Sequence, residues 1–180
     1  ECLPCLLRQA LQVARITNCS EDQQLHILQA VSSIIAGLDV TKSPPANANP
    51  IYQKIAGITG CEDPYYERKR ASNQQAMKIV PSLRPEIQGK DDELLAAVGF
   101  AIAGNIIDYG ASETFDIEAA LERSRSASFV VDHFPQFSGA MEGLAIGSKI
   151  LYLADNCGEI VYDSLLVEYL HQKGFNITIA

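Results

Sequence analysis

The amino-acid sequence predicts a mixed α/β protein, with a helical N-terminal part followed by the opening of a parallel sheet layer. Apolar residues recur at helical spacing through most of the first two-thirds of the 180 residues. Near the end of the chain, two short β-forming runs flank an amphipathic stretch, which is the strand–helix–strand order of a parallel βαβ unit. Because one such unit cannot cover both faces of its sheet, we expect the layer to be incomplete at Ala180.

Two helices are predicted before residue 40. The first carries apolar residues from Leu3 to Ala14, and the second from Leu25 to Ile35. Ser20 followed by Gln23 predicts a capping box at the start of the second helix. The segment TKSPPANANP, Thr41 to Pro50, is predicted to be a loop because it holds three prolines and two asparagines.

Three more helices are predicted in the middle of the chain. The first starts at Asp63-Pro64, because aspartate caps a helix and proline suits its first turn. It is expected to end at Val80, since Pro81 and Pro85 interrupt the pattern. The other two are predicted at residues 91–109, before Gly110, and at residues 116–126.

The C-terminal part predicts the βαβ unit. KILYLA at residues 149–154 and the run at residues 175–180 are strand-like, and residues 159–171 between them form the amphipathic stretch. We therefore predict a mainly helical part at residues 1–145 and the start of an α/β domain at residues 146–180.

Composition narrows the classes of partner and compartment. The 22 acidic and 14 basic residues give a net charge of −8, whereas nucleic-acid binding calls for a basic surface. No apolar run approaches the ~20 residues that cross a bilayer, so no membrane association is expected. Five cysteines, an odd number, are typical of reduced thiols, which predicts a cytoplasmic protein.

The sharpest candidate site is Asp155-Asn156, directly after a predicted strand. Ligands of open α/β sheets bind at the carboxyl ends of the strands. A carboxylate and a carboxamide offer hard oxygens of the kind that bind Mg²⁺ or Mn²⁺, and the backbone N–H groups of Gly158 to Ile160 could face a phosphate. Alternatively, Asp155 or Asn156 caps the next helix while Glu159 complements its dipole.

Two further candidates lie on predicted helices. Asn105 and Asp108 share an otherwise apolar face, so both need partners, which are either helix-end groups or a substrate and a water. Lys69 or Arg70 shares a half-apolar face with Asn73. Either the lysine and the asparagine bind an anionic group there, or the lysine lays its stem over the core.

Cys2 and Cys5 form a CxxC pair at a predicted helix start. Such a pair can bind metal or change redox state, but no second pair completes a zinc site. Cys157 lies inside the Asp155-Asn156 turn. A thiol-based redox or metal-binding protein built on these three cysteines is therefore the alternative to an enzyme.

Taken together, the segments ECLPC, DPYYERKRASN, AGNIIDYG and LYLADNCGEIVYDSLL resemble the damage-control phosphatases. These are the ARMT-like metal-binding proteins, formerly a domain of unknown function. The resemblance spans Cys2 to Ala180, and the CxxC pair resembles the subfamily found in archaea and some bacteria.

The resemblance implies a helical part packed on a Rossmann-like α/β part that holds one divalent ion, Mn²⁺, Ni²⁺ or Co²⁺, with Mg²⁺ also suitable. Asp155 and Asn156 match its first two metal ligands, and a third, another Asp, is expected beyond Ala180. The implied activity is hydrolysis of phosphate monoesters of small metabolites, such as sugar phosphates or purine-nucleotide-related compounds.

On this basis each candidate residue has an expected role. Asp155 and Asn156 hold the metal, Asp108 belongs to the catalytic set, and Cys2 and Cys5 are regulatory. Substrate binding is assigned to Asn105, Lys69 and Glu159. A phosphatase that uses Asp155 as a nucleophile is a second enzymatic possibility, and the oligomeric state is not predicted.

Overall fold

A computed structural model of the chain describes residues 2–39, 41–106, 121, 122, 125 and 131–180. The mixed α/β class is confirmed, with seven helices and a parallel two-stranded sheet among these residues. The elements are α1 Cys2–Ile16, α2 Glu21–Ile35, α3 Pro44–Thr59, α4 Tyr66–Gln88, α5 Glu93–Ile106, α6 Phe134–Glu142, β1 Lys149–Tyr152, α7 Glu159–Gln172 and β2 Asn176–Ile179. The chain divides into two compact units, Glu1–Glu67 and Arg68–Ala180.

The first unit is built from α1, α2 and α3. Its core consists of small and branched apolar side chains from all three helices: Leu6, Ala10, Val13, Ala14, Ile27, Val31, Ile51 and Ile55. The predicted capping box is confirmed at the start of α2. The Gln23 N–H donates to Ser20 Oγ at 3.3 Å, and the Ser20 N–H donates to Gln23 Oε1 at 2.9 Å.

The loop predicted at Thr41 to Pro50 is wrong, because helix α3 starts at Pro44. Prolines at the first turn of a helix remove N–H groups that have no intrahelical acceptor anyway. Pro50 lies inside α3 on an exposed face, so the carbonyl one turn earlier, at exposed Ala46, can bind water. Burial of Ile51 and Ile55 on the opposite face favours the helix over the loop.

The end predicted for the next helix, at Val80, is also wrong. Helix α4 passes through Pro81 and Pro85 and ends at Gln88. Both prolines are exposed, whereas Leu83 and Ile87 continue the buried stripe of Val80 on the other face. The carbonyls that lose a donor therefore face solvent while the apolar stripe keeps the segment helical.

The second unit contains the predicted strand–helix–strand arrangement. Strands β1 and β2 pair in parallel, from Lys149 opposite Asn176 to Tyr152 opposite Ile179, and α7 connects them. Helix α7 packs against α5, where fully buried Tyr162 lies against Gly104. This core also includes Ala76, Val80, Leu83, Ile87, Leu94, Ala97, Phe100, Ala103, Leu121, Leu165, Leu166, Leu170 and Phe175.

The remaining boundaries differ in detail from the expected ones. Helix α5 covers the predicted segment from Glu93 to Ile106, and residues 107–109 lie outside the described residues. Of the helix predicted at residues 116–126, only 121, 122 and 125 are described, and they are helical. Helix α6 was not predicted.

No helix among the described residues has the length and apolar character that would cross a membrane. The division at residues 145/146 remains a prediction.

Candidate functional site

Asp155 and Asn156 lie where parallel strand β1 ends. Backbone pairing with β2 continues just past the strand, since the Ala154 N–H donates to the Ala180 carbonyl at 3.0 Å. Asp155 is the next residue, and both its side chain and that of Asn156 are exposed. The two oxygen-bearing side chains therefore stand at the carboxyl edge of the sheet, where open α/β sheets bind ligands.

Neither side chain caps the helix that follows. The N-cap residue of α7 is Gly158, with φ 80° and ψ −56°, which as a glycine makes no side-chain cap hydrogen bond. This positive φ is a conformation that suits glycine. The capping alternative for Asp155 and Asn156 is therefore wrong, and their oxygens face solvent instead of the helix end.

The backbone amides of the turn are largely used within the protein. The Gly158 N–H donates to the Oδ1 atom of Asn73, on helix α4, and the Ile160 N–H donates to the Asn156 carbonyl at 3.1 Å. The expectation that the N–H groups of Gly158 to Ile160 together face a phosphate is therefore wrong for two of the three.

A cavity of about 460 Å³ opens beside the turn. Its polar wall carries three carboxylates, those of Asp155, Glu159 and Asp163, and the hydroxyl of Tyr152. Glu159 and Asp163 are four residues apart and share one face of α7, and Asp155 joins them from the turn. The apolar wall comes from α5, the β1 end and α7, through Val98, Ala101, Ile102, Leu153 and Leu166.

Tyr152 and Asp163 form a pair inside this cavity. The Tyr152 hydroxyl donates to Asp163 Oδ1 at 2.9 Å. Burial raises the pKa of Asp163, and the nearby charge of Asp155 raises it further, while the hydrogen bond from Tyr152 acts in the opposite direction. Burial and the contact with Asp163 also raise the pKa of Tyr152, so the phenol stays protonated and remains a donor.

Glu159 is the first residue of α7 and is only 6% exposed. Its position in the first turn lets the helix dipole stabilise a carboxylate. Because it also lines the cavity, the structure brings this predicted substrate-binding residue together with Asp155.

The other predicted residues fall in different places. Lys69 is exposed on α4, one helical turn before Asn73 and on the same face. Asn105 belongs to the last turn of α5, but its side chain, like the whole of Asp108, lies outside the described residues. Cys157 is half-buried within the turn.

The two cysteines of the CxxC pair lie in α1, in the other compact unit. The Cys5 thiol is half-buried and accepts a hydrogen bond from Gln9 Nε2 at 3.6 Å. The side chain of Cys2 is outside the described residues. Their regulatory role stays a prediction.

The chemistry of the turn fits a hard divalent ion. Asp155 and Asn156 provide a carboxylate and an amide oxygen, which are ligands that Mg²⁺ and Mn²⁺ accept. No cluster of three or more His, Cys, Asp or Glu side chains suited to a metal occurs in the part of the chain that the structure describes. The third ligand that the family resemblance implies therefore stays a prediction.

Three residues of this site make contacts that were not predicted from the sequence. Tyr152 and Asp163 line the cavity, and Asn73 holds the turn. The spacing of four between Glu159 and Asp163 could have indicated Asp163, because it places both on one face of a helix. No local pattern links Asn73 with Gly158, which is 85 residues away.

The family model of the damage-control phosphatase ARMT1-like domain matches residues 1–180. The chain belongs to this family. The resemblance carried by its four sequence segments is thereby confirmed, while its placement in a CxxC subfamily stays a prediction.

Several archaeal proteins resemble the chain along nearly its whole length. A damage-control phosphatase of Archaeoglobus fulgidus is 28% identical over 184 residues, covering 98% of this chain and 62% of that protein. A damage-control phosphatase of Pyrococcus horikoshii is 26% identical over 174 residues, covering 96% and 58%. An uncharacterized protein of Methanocaldococcus jannaschii is 30% identical over 173 residues, covering 93% and 56%. The chain thus spans 56–62% of the length of these relatives.

The same fold occurs in a solved structure. The crystal structure of a DUF89 family protein from Pyrococcus horikoshii superposes with a TM-score of 0.79 at 21% identity, covering 99% of this chain and 61% of that one. At this identity the likeness concerns the fold.

Proposed function

We propose that this chain is part of a metal-dependent phosphatase that hydrolyses phosphate monoesters of small metabolites in a damage-control role. The observation that carries the proposal is the pair of exposed oxygen donors, Asp155 and Asn156, at the carboxyl end of β1. Neither is used to cap α7, and Asp155 opens onto the 460 Å³ cavity. Family membership and the phosphatase names of two relatives support the same activity.

Asp155 and Asn156 would hold the ion, for which Mn²⁺, Ni²⁺, Co²⁺ and Mg²⁺ are the candidates. When bound, a divalent ion supplies charge neutralisation and polarisation of the phosphoryl group. Such neutralisation matters for this chain in particular, because its net charge of −8 repels an anionic substrate at long range.

The cavity would receive the organic group to which the phosphate is attached. Its volume falls within the range of roughly 300–1,000 Å³ that is usual for small-molecule sites. The carboxylates of Glu159 and Asp163 accept hydrogen bonds and so suit hydroxyl groups, while Ile102 and Leu166 offer an apolar wall. This lining favours a sugar phosphate as substrate class.

The remaining assignments extend the same proposal. Lys69, on the face of α4 that carries Asn73, would meet an anionic group of the substrate as a point charge. Asn105 and Asp108 would position substrate or water. We also propose a cytoplasmic location, because five cysteines, an odd number, are typical of reduced thiols.

The test uses the full-length protein with a panel of phosphorylated metabolites and of the four divalent ions, and phosphate release as the readout. Asp155→Ala should lower turnover by more than about 100-fold, beyond the 10- to 100-fold loss that is usual for residues behind the ligands. Its melting temperature should stay close to wild type, because the Asp155 side chain is exposed. Asp91→Ala, which removes an exposed carboxylate far from the turn in sequence, is the matched control and should change nothing.

Wild-type turnover in Asp155→Ala would disprove the assignment of the metal ligand. Trapping a phospho-enzyme at Asp155 would instead favour the nucleophile mechanism. The thiol alternative is tested by exchanging Cys2 and Cys5 for serine together. Under reducing conditions the doubly substituted protein should keep turnover within about tenfold, or ~1.4 kcal/mol of barrier. Complete loss of activity in this folded, metal-loaded protein would place the cysteines in the catalytic site.

A further inference from the structure

We propose that Asn73 is a positioning residue for the turn that carries Asp155 and Asn156. Its side-chain Oδ1 accepts the N–H of Gly158 and so ties helix α4 to this turn across 85 residues of sequence. The inference rests on the proposed function, because the turn matters only if its two side chains bind the metal.

The Gly158 amide needs an acceptor that the local sequence does not supply. It precedes helix α7, where the first N–H groups have no partner within the helix. Gly158 is buried, and a buried N–H without an acceptor is costly. No side chain caps α7 locally, so the distant carboxamide of Asn73 meets this need.

The bond also fixes an unusual backbone conformation. Gly158 has φ 80° and ψ −56°, a conformation that residues other than glycine rarely adopt. Two backbone hydrogen bonds start α7 around Gly158. The Ile160 N–H donates to the Asn156 carbonyl at 3.1 Å, and the Val161 N–H donates to the Gly158 carbonyl at 3.2 Å. The orientation of Gly158 therefore sets where α7 begins and where the side chain of Asn156 leaves the backbone.

The helix that carries Asn73 also contacts α7 at a second place. Asn73 is half-buried on α4 next to buried Ser72, with buried Ala76 one turn further along. Further along the same helix, the Arg84 guanidinium donates two hydrogen bonds to the carboxylate of Glu168 on α7, at 2.8 and 2.7 Å. Helix α4 is thus attached to both the start and the body of α7, which favours a constant position of Asn73 relative to the turn.

The experiment compares Asn73→Ala, Asn73→Asp and Gln74→Ala in the full-length protein. Alanine removes the acceptor, whereas aspartate keeps an oxygen at the same position and should rescue the contact. Gln74 is the next residue of the same helix and is exposed, so its replacement is the matched control. The readouts are hydrogen exchange of the Gly158 amide without metal, Mn²⁺ affinity by titration, and hydrolysis of p-nitrophenyl phosphate.

In Asn73→Ala, the Gly158 amide should exchange at least about tenfold faster, and Mn²⁺ affinity should fall about 10- to 100-fold, as for other residues that orient metal ligands. Asn73→Asp should restore slow exchange and Mn²⁺ binding, and Gln74→Ala should match wild type in every readout. Should Asn73→Ala fail to fold, Asn73→Leu, which keeps nearly the size and shape of the side chain without an acceptor, carries the same comparison.

Unchanged exchange of the Gly158 amide, or Mn²⁺ affinity equal to that of Gln74→Ala, would overturn the inference. The proposed function would survive that result if Asp155→Ala still abolished Mn²⁺ binding. If instead Asp155→Ala bound Mn²⁺ like wild type, the proposed function would fail. The inference, which rests on it, would then fail with it, even where Gly158 exchange confirmed the hydrogen bond.

Discussion

Replacing Gly104 by alanine tests how closely α5 and α7 must approach. A Cβ atom placed on Gly104 would lie 2.6 Å from Cβ and 3.0 Å from Cγ of Tyr162. Carbon atoms in contact normally stand about 3.5–4.0 Å apart, so the alanine methyl needs roughly 1 Å of extra room. Since the nearest atom, Tyr162 Cβ, is bonded directly to the backbone of α7, no side-chain rotation provides that room.

The magnitude follows from two opposing effects. Overpacking of a filled core costs about 1–3 kcal/mol, and the clash with a backbone-anchored atom places this position in the upper part of that range. Alanine returns up to ~1 kcal/mol because it favours a helix more than glycine does. We therefore expect Gly104→Ala to lower the free energy of unfolding by about 1–2 kcal/mol, or the melting temperature by roughly 2–8 °C.

The assay is thermal and urea unfolding of wild type, Gly104→Ala and Gly139→Ala. Gly139 lies inside helix α6, and a Cβ there would meet no atom within 4 Å. The same substitution at Gly139 should therefore stabilise the protein by about 0.4–1 kcal/mol. If Gly104→Ala proves as stable as Gly139→Ala, the close packing of Gly104 on Tyr162 is not a constraint and the reasoning fails.

Two further predictions concern ionisable side chains of the second unit. Glu168→Gln breaks the bidentate pair with Arg84, whose side chains are 41% and 43% exposed, and should cost about 0.5–1 kcal/mol at pH 7. The hydrogen bonds from Arg84 lower the pKa of Glu168, so the pair stabilises the fold above pH 4.5, and this stabilisation is lost as the pH falls through the lowered pKa. In urea unfolding at several pH values, the difference in stability between Glu168→Gln and wild type should therefore vanish in acid. A difference that persists in acid refutes the prediction. Asp163→Asn should be more stable than wild type at pH 7, because burial raises the pKa of Asp163 and the folded state therefore disfavours the charged form, while an amide oxygen can still accept from Tyr152. Melting temperatures should converge below about pH 3.8, where Asp163 is neutral in both states, and a constant offset across pH would contradict this origin.

Local patterns in the sequence were enough for the elements whose signals involve near neighbours. Helices α1 and α2, the capping box at Ser20 and the strand–helix–strand order after Lys149 all follow from residues within one or two turns of each other. The position of Asp155 and Asn156 after β1 follows in the same way, because it needs only the strand and the turn. The family resemblance rests on the same segments.

Proline in a helix is a different case. A proline removes one donor wherever it stands, but whether the helix continues depends on what its other face can bury. The segments around Pro50 and Pro81 are helical because Ile51, Ile55 and Leu83 are buried while the prolines face solvent. That balance is decided by tertiary packing, so the sequence pattern alone predicted a loop and a helix end instead.

The surroundings of the candidate site were also decided by tertiary structure. Asn73 reaches Gly158 across 85 residues, and Tyr152 meets Asp163 across the junction between strand and helix. The sequence identified the residue types that can hold a metal because oxygen ligands at a strand end are a local feature. Which groups bind the turn's amides, and which carboxylates share its cavity, depends on how α4, α5 and α7 pack, since only packing brings the side chains of distant segments within hydrogen-bonding distance.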